Sequence, residues 1–483
     1  MTQNRKDKAL KMNPDAAKVL DDIPFAEPPA SGSWITDYAW VSGLAGALTV
    51  VVCAIFYKWT GVLDNGVHFM GLTLTHTQED SLLLAVVIVA VSMLLTEGIR
   101  LLLRDPKNFF QPNPELKAGR YLGFLRECVV NWLLYLGLLS LVVLFFRTAG
   151  EYGYANQHPF YHAWFRLLDL AFTVYLWAGF PYVLITRALK HDPVSDRRDF
   201  SSLMGRMLRL VVSLVPGLAS LRPRLNEVDK KAARALLVKL FFTPLMTVYF
   251  LDQFPHLVNN VGYVAGALRE SIANGSYTHA SFNNDLINIS FALIFSIDVG
   301  LAWCGYVVSS RWVNNQTITA EPSVLGWAVC LFCYPPFNTV PGLYYSSPSE
   351  KIVFQLQNET LVSVLIVLSA LSSFIYMSAT LWFGVRFSNV TNRGIIRKGP
   401  FAFVRHPAYA SKNFLWWCMI FPYLVFNAPR MGWEIALLQI LGLMLITWIY
   451  YLRAITEERH LSADPYYRAY CQQVKYRFIP GVI

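Results

Sequence analysis

Two stretches near the end of the chain gather most of the side chains able to hold a polar ligand. The first is Gly399-Pro400-Phe401-Ala402-Phe403-Val404-Arg405-His406-Pro407-Ala408-Tyr409. An apolar hairpin follows it, and then come Arg453, Glu457, Glu458, Arg459 and His460, Tyr466-Tyr467-Arg468-Ala469-Tyr470 and Arg477-Phe478-Ile479-Pro480. Arg405 and His406 offer donors to a carboxylate or phosphate, and Glu457 and Glu458 accept from an amine or from ribose hydroxyls. Tyr409, Phe401 and Phe403 offer faces to a purine. Arg453 and Glu457 stand four apart on one helical face and can pair when no ligand is bound. Taken singly, these residues also have plainer readings: arginines as charge anchors, tyrosines as an interfacial belt, Pro407 as a helix boundary.

For the two stretches to meet, the hairpin between them must bring both mouths to one face of a membrane. The composition supports a membrane. Of 483 residues 55% are hydrophobic and only 15% charged, far too apolar for a soluble globular protein. The net charge of +10 suits orientation in a bilayer better than nucleic-acid binding, which is not expected. Seven cysteines, odd in number and mostly inside apolar runs, form no secreted-type disulfide framework. Residues 1–37 are polar, with no apolar core near Met1, so no cleaved signal is expected.

Runs of about 20 apolar residues, the length that crosses a bilayer core, occur near 38–57, 81–103, 127–147, 164–186, 236–253, 285–308, 323–341, 360–384, 412–428 and 432–452. Spanning segments must satisfy their own backbone hydrogen bonds, which predicts an all-α, polytopic membrane protein of about ten transmembrane helices. Sorting the connections alternately puts 35 of the 41 Lys and Arg on one face, so both termini are expected in the cytoplasm. The expected organisation is a cytoplasmic segment 1–37, a transmembrane region 38–345 with a cytoplasmic amphipathic segment 187–235, and a domain 346–483 carrying a cytoplasmic pocket. Within 201–221, Leu203, Met207, Leu210 and Leu214 recur at helical spacing beside Arg206 and Arg209. That pattern suits a helix in the membrane interface or one packed on the spans.

Charges inside spans are costly and therefore need partners. Glu97 with Arg100, and Arg166 with Asp169, are spaced to pair within their helices, whereas Asp298 has no partner at helical spacing. Cys330 and Cys333 have metal spacing but lie in an apolar run without a second pair, so they read as packing residues and no metal is expected. No phosphate-cradling glycine loop is present, which leaves ATP-driven transport without support.

The order Gly-Pro, Arg-His-Pro-x-Tyr, a short span hairpin, Glu-Glu-x-x-Leu and Tyr-x-x-Tyr ending in Ile-Pro resembles the isoprenylcysteine carboxyl methyltransferase family, over about residues 360–483. The family includes membrane phospholipid methyltransferases. The resemblance implies methyl transfer from S-adenosylmethionine to a lipid-like or prenylated acceptor. It places Gly399, Pro400, Arg405, His406, Tyr409 and Glu458 around the cofactor, with Arg453, Glu457 and Glu458 as catalytic candidates, and leaves open which glutamate faces the cofactor. Ala410-Ser411 departs from the small, glycine-containing sequence common there, and the family says nothing of the preceding 350 or so residues. A related branch, the sterol-reductase-like membrane enzymes, shares an Arg-His-x-x-Tyr pattern and gives an NADPH-dependent alternative. A transporter or lipid-binding protein using the first eight spans and Asp298 is the non-enzymatic one. No retention or lipidation signal ends the chain, which points to a bacterial inner membrane.

Overall fold

The computed structural model describes residues 36–69, 72–149, 161–191, 200–215, 217–218, 220, 227–339 and 353–482. The expected segment 1–37 therefore lies almost wholly outside the described residues, as does part of 187–235. The longer helices are α1 (Trp40–Thr60), α2 (Gln78–Arg104), α3 (Tyr121–Thr148), α4 (His162–Leu189), α5 (Phe200–Val212) and α6 (Glu227–Tyr263). They continue with α7 (His279–Val307), α8 (Val324–Leu331), α9 (Glu359–Phe383), α10 (Pro407–Met431), α11 (Trp433–Leu461) and α12 (Pro465–Gln473). Among the described residues, besides short turns of helix, two pairs of two-residue strands interrupt this all-α architecture: β1 (His68–Phe69) with β2 (Leu72–Thr73), and β3 (Thr319–Ala320) with β4 (Thr391–Asn392). A π turn, Val264–Leu268, carries α6 on to Ala273.

Among the described residues, eight helices are long and apolar enough to cross a membrane: α1 to α4, α6, α7, α9 and α11. Two of the ten expected spans differ. α10 has the length, at 25 residues, but is not among the eight, since Lys412, Asn427 and Arg430 dilute its apolar surface. Within the run 323–341, Phe332–Asn338 is turn and α8 supplies eight helical residues. At 1.5 Å per residue this is about 12 Å, short of a 30 Å hydrocarbon core. Beyond α8 the chain turns through Phe332–Asn338, where Pro335 and Pro336 stop the helix.

The connection nevertheless runs the length of the bundle. α7 and α9 lie parallel: Ile287 shares a cluster with Val362, Asp298 meets Tyr376 and Thr380, and Gly305 backs directly onto the Phe387 main chain, where a Cβ would collide. Two parallel neighbours require a return path. At one end β3 pairs Thr319 with Asn392, and at the other Val353 joins Ile287 and Val362. The described flanks of the connection, at 320 and 353, thus lie toward opposite ends of the bundle.

The core lies where α1, α2, α6 and α7 meet, with Val50, Val86, Met93, Phe242, Phe250 and Leu301 fully buried. α3 and α4 pair at its margin around the small cluster Phe124, Cys128 and Val183. α5 packs on α3 and α6, burying Leu203 and pairing Arg206 with Asp229, while Leu208 and Val211 stay exposed. Cys330 is buried in the core, and the Cys333 thiol donates to the Val329 carbonyl at 3.3 Å.

Glu97 and Arg100 pair as their spacing predicts, at 2.7 Å, and Arg386 at the end of α9 adds a second cation at 3.2 Å. Arg166 and Asp169 pair with other helices instead: Arg166 reaches Asp80 of α2 at 2.8 Å and Asp169 takes Arg147 of α3 at 2.6 Å. Bonds between helices tie α2, α3 and α4 together where a bond within α4 would tie nothing. Asp298 accepts from the Tyr376 hydroxyl at 2.7 Å and the Thr380 hydroxyl at 2.5 Å, both on α9.

Both described ends lie at one end of the bundle. The Thr36 amide donates to the Ile395 carbonyl at 2.8 Å, Arg397 pairs with Asp37 at 2.7 Å, and the Arg405 amide donates to the Tyr476 carbonyl at 2.9 Å.

Candidate active site

The end of α11 and the loops before α8 and α10 converge there. Along α11, Arg453, Glu457 and His460 fall at i, i+4 and i+7 and share one face. Glu458, one residue further round, faces the other way. The structure separates the two glutamates accordingly.

Glu458 is buried, at 8% exposure, among two guanidinium groups and an imidazole. Its Oε1 lies 3.2 Å from His406 Nε2 and 3.1 Å from Arg405 Nε, and its Oε2 accepts from Arg477 Nε at 2.9 Å. The Arg405 and His406 amides donate to the Tyr476 and Arg477 carbonyls, both at 2.9 Å, so main chain and side chains together clamp 405–406 to the C-terminal segment. Burial works against the Arg405 charge, but its hydrogen bond to Cys471 and the Glu458 carboxylate outweigh burial and raise its pKa. His406 stacks on Tyr409 with ring centres 5.3 Å apart and meets Phe478 at 5.8 Å.

Gly399 and Pro400 open a turn of 3-10 helix, Gly399–Ala402. Gly399 has φ +64°, and a Cβ there would run into the Trp382 indole, so only glycine fits. The turn is held by the Tyr470 hydroxyl, which donates to the Phe401 carbonyl at 2.7 Å; burial pushes that phenol well above its ordinary pKa and keeps it a donor. Gly399 and Pro400 therefore shape the wall behind the site, and Phe401 is buried in that wall.

The face bearing Arg453 and Glu457 borders a cavity of about 20 Å³ shared with Glu321, Thr391, Tyr409 and His460. The expected Arg453–Glu457 pair is replaced by other partners. Arg453 Nη2 donates to Asn389 Oδ1 at 2.6 Å, and its guanidinium lies over Tyr409 at 4.8 Å and over Tyr334 and Tyr450 at 5.7 Å. Glu457 Oε2 accepts from the Tyr409 hydroxyl at 2.6 Å. Stacking on three rings holds a buried guanidinium without a carboxylate. It leaves the Glu457 carboxylate facing the cavity.

Two residues of this site escaped the sequence reading. Asn389 bridges Arg453 to the Tyr306 and Tyr334 hydroxyls, at 2.6 and 2.9 Å through Nδ2. Nothing local marks it, since its partners are 55 to 83 residues away. Glu321 is buried and lies 3.8 Å from His460 and 3.5 Å from Arg459. As the lone acid in the connection 309–322, it was visible had acids been sorted as well as cations.

Arg453, Glu457, Glu321 and His460 offer a guanidinium for a carboxylate and carboxylates for a cation, and the Tyr409 ring becomes a face for a base once Arg453 moves off it. The buried Thr391 hydroxyl has no hydrogen-bond partner and also lines the cavity. This donor set fits the charges of S-adenosylmethionine, which carries an amine, a carboxylate, a sulfonium and a purine. The space holds one water, so a ligand of that size requires the Tyr409–Glu457 and Arg453–Asn389 contacts to part.

No curated protein and no solved structure matches the chain. A family model does match, across α9, α10, α11 and the loop that carries Asn389, Arg405 and His406. Residues 361–463 match the isoprenylcysteine carboxyl methyltransferase (ICMT) family, to which this C-terminal region is similar.

Proposed function

We propose that the protein is an integral membrane methyltransferase that uses S-adenosylmethionine and methylates a lipid-like acceptor. The observation that carries the reading is the coincidence of the family match with the two-sided end of α11. One side builds the clamp, and the other presents Arg453 and Glu457 to a buried cavity. The NADPH-dependent alternative gains nothing from the comparison.

The cofactor, when bound, supplies an electrophilic methyl group whose transfer is an in-line displacement. Such a step needs alignment and exclusion of water more than acid catalysis. The clamp of Glu458 on Arg405, His406 and Arg477 fixes the wall of the site. Arg453, held by three aromatic rings, is placed to orient a carboxylate or phosphate. Glu457 is placed to hold a cationic group or to take a proton from an amine acceptor. We place the site on the cytoplasmic face of a bacterial inner membrane, in keeping with the excess of Lys and Arg in the connections on that side.

Incubating membranes that contain the protein with methyl-labelled S-adenosylmethionine and a total lipid extract tests the reading. Label is expected in the organic phase and is expected to fall at least tenfold with Glu457→Gln. Equal labelling from the variant would remove Glu457 from the site, and none from the wild-type protein would count against methyl transfer to lipid.

A further inference from the structure

A second cavity lies outside the region the family covers. It is a slot of about 650 Å³ between α3, α4 and α6, within the range of ligand sites. Its walls follow α4 from Trp164 to Arg187, a helical rise of about 35 Å. The end near Trp164 is apolar, lined by Leu139, Val142, Leu167, Leu168 and Ala171.

The other end is cationic. Arg187, Lys231, Lys239 and Arg311 line it, and among the described residues no Asp or Glu does. The Lys239 side-chain nitrogen donates to the Tyr306 and Val307 carbonyls, at 2.7 and 3.3 Å, at the C-terminus of α7. Arg187 meets Glu127 at 2.9 Å, on a carboxylate outside the lining. These four cations belong to the excess of Lys and Arg on that face of the bundle, and here they border the mouth of an apolar slot.

We propose that this slot is a binding site for an anionic amphiphile, with its acyl chain along α4 and its phosphate or carboxylate headgroup at Lys231 and Lys239. A lysine near an anionic surface contributes about 1 kcal/mol, which is roughly fivefold in affinity. The apolar run supplies the rest through burial of the chain. The headgroup end adjoins the candidate active site, because Ile318 lines the slot and the next residue, Thr319, bonds His460 at 3.0 Å. The proposal does not depend on methyl transfer.

The test is native mass spectrometry of the full-length protein in detergent, with phosphatidylglycerol, phosphatidylcholine and inorganic phosphate as probes. Phosphatidylglycerol is expected to bind in preference to phosphatidylcholine, and inorganic phosphate alone is expected not to displace it. Lys231→Gln, at an exposed position, and Lys239→Gln are each expected to weaken phosphatidylglycerol about fivefold. Leu139→Trp, which fills the slot, is expected to lower retention of lipid whatever its headgroup. Equal retention of the two lipids, an unchanged Lys231→Gln or full displacement by phosphate would overturn the proposal.

Discussion

At the scale of single residues, adjacent glutamates do different work. Glu458 pairs with Arg405 and Arg477 and meets His406 in a buried cluster, whereas Glu457 accepts one hydroxyl and faces a cavity. Removing one partner of a buried ion cluster leaves the rest uncompensated, at a cost of about 3–5 kcal/mol. Glu458→Ala is therefore expected to lower the thermal unfolding temperature clearly. Glu457→Gln keeps an acceptor for Tyr409 and is expected to stay within about 0.5 kcal/mol of wild type. Thermal melts of both variants check this, and the reverse order of stabilities would mean that the clamp is not at Glu458. The sequence left open which glutamate faces the site, although Arg453, Glu457 and His460 share a helical face from which Glu458 departs. The partners were not legible, because Asn389 and Arg477 come from other segments.

At the scale of elements, apolar runs located the long helices because a segment in hydrocarbon has no other way to satisfy its backbone. The same reading over-extended the run 323–341, where hydropathy is high but Pro335 and Pro336 forbid a continuous helix. It also paired Arg166 with Asp169 by spacing alone, although inter-helix partners, which spacing cannot show, take both. The parallel course of α7 and α9 makes a definite expectation for the connection 321–352. Glu359→Cys, at the start of α9, and Lys475→Cys, near the site, are both exposed and belong at opposite ends of the bundle. An impermeant maleimide should label the first only from the periplasmic side and the second only from the cytoplasmic side. Labelling of both from one side would show that 321–352 does not cross.

At the scale of the whole molecule, the chain couples a methyltransferase-like end to a larger helical region with a central core and a marginal α3–α4 pair. The overall all-α architecture followed from composition and length. The slot beside α4 did not, because a cavity is a property of how helices meet and leaves no periodicity in any of them. The two regions are joined through hydrogen bonds from Asn389 to Tyr306 of α7 and from His460 to Thr319. The central claim is that the end of α11 holds the cofactor. It is tested most directly by calorimetric titration of the purified protein with S-adenosylhomocysteine and, separately, NADPH, repeated on His406→Ala. The account predicts binding of S-adenosylhomocysteine alone, weakened at least tenfold by the substitution. Binding of NADPH alone, or of neither, would contradict it.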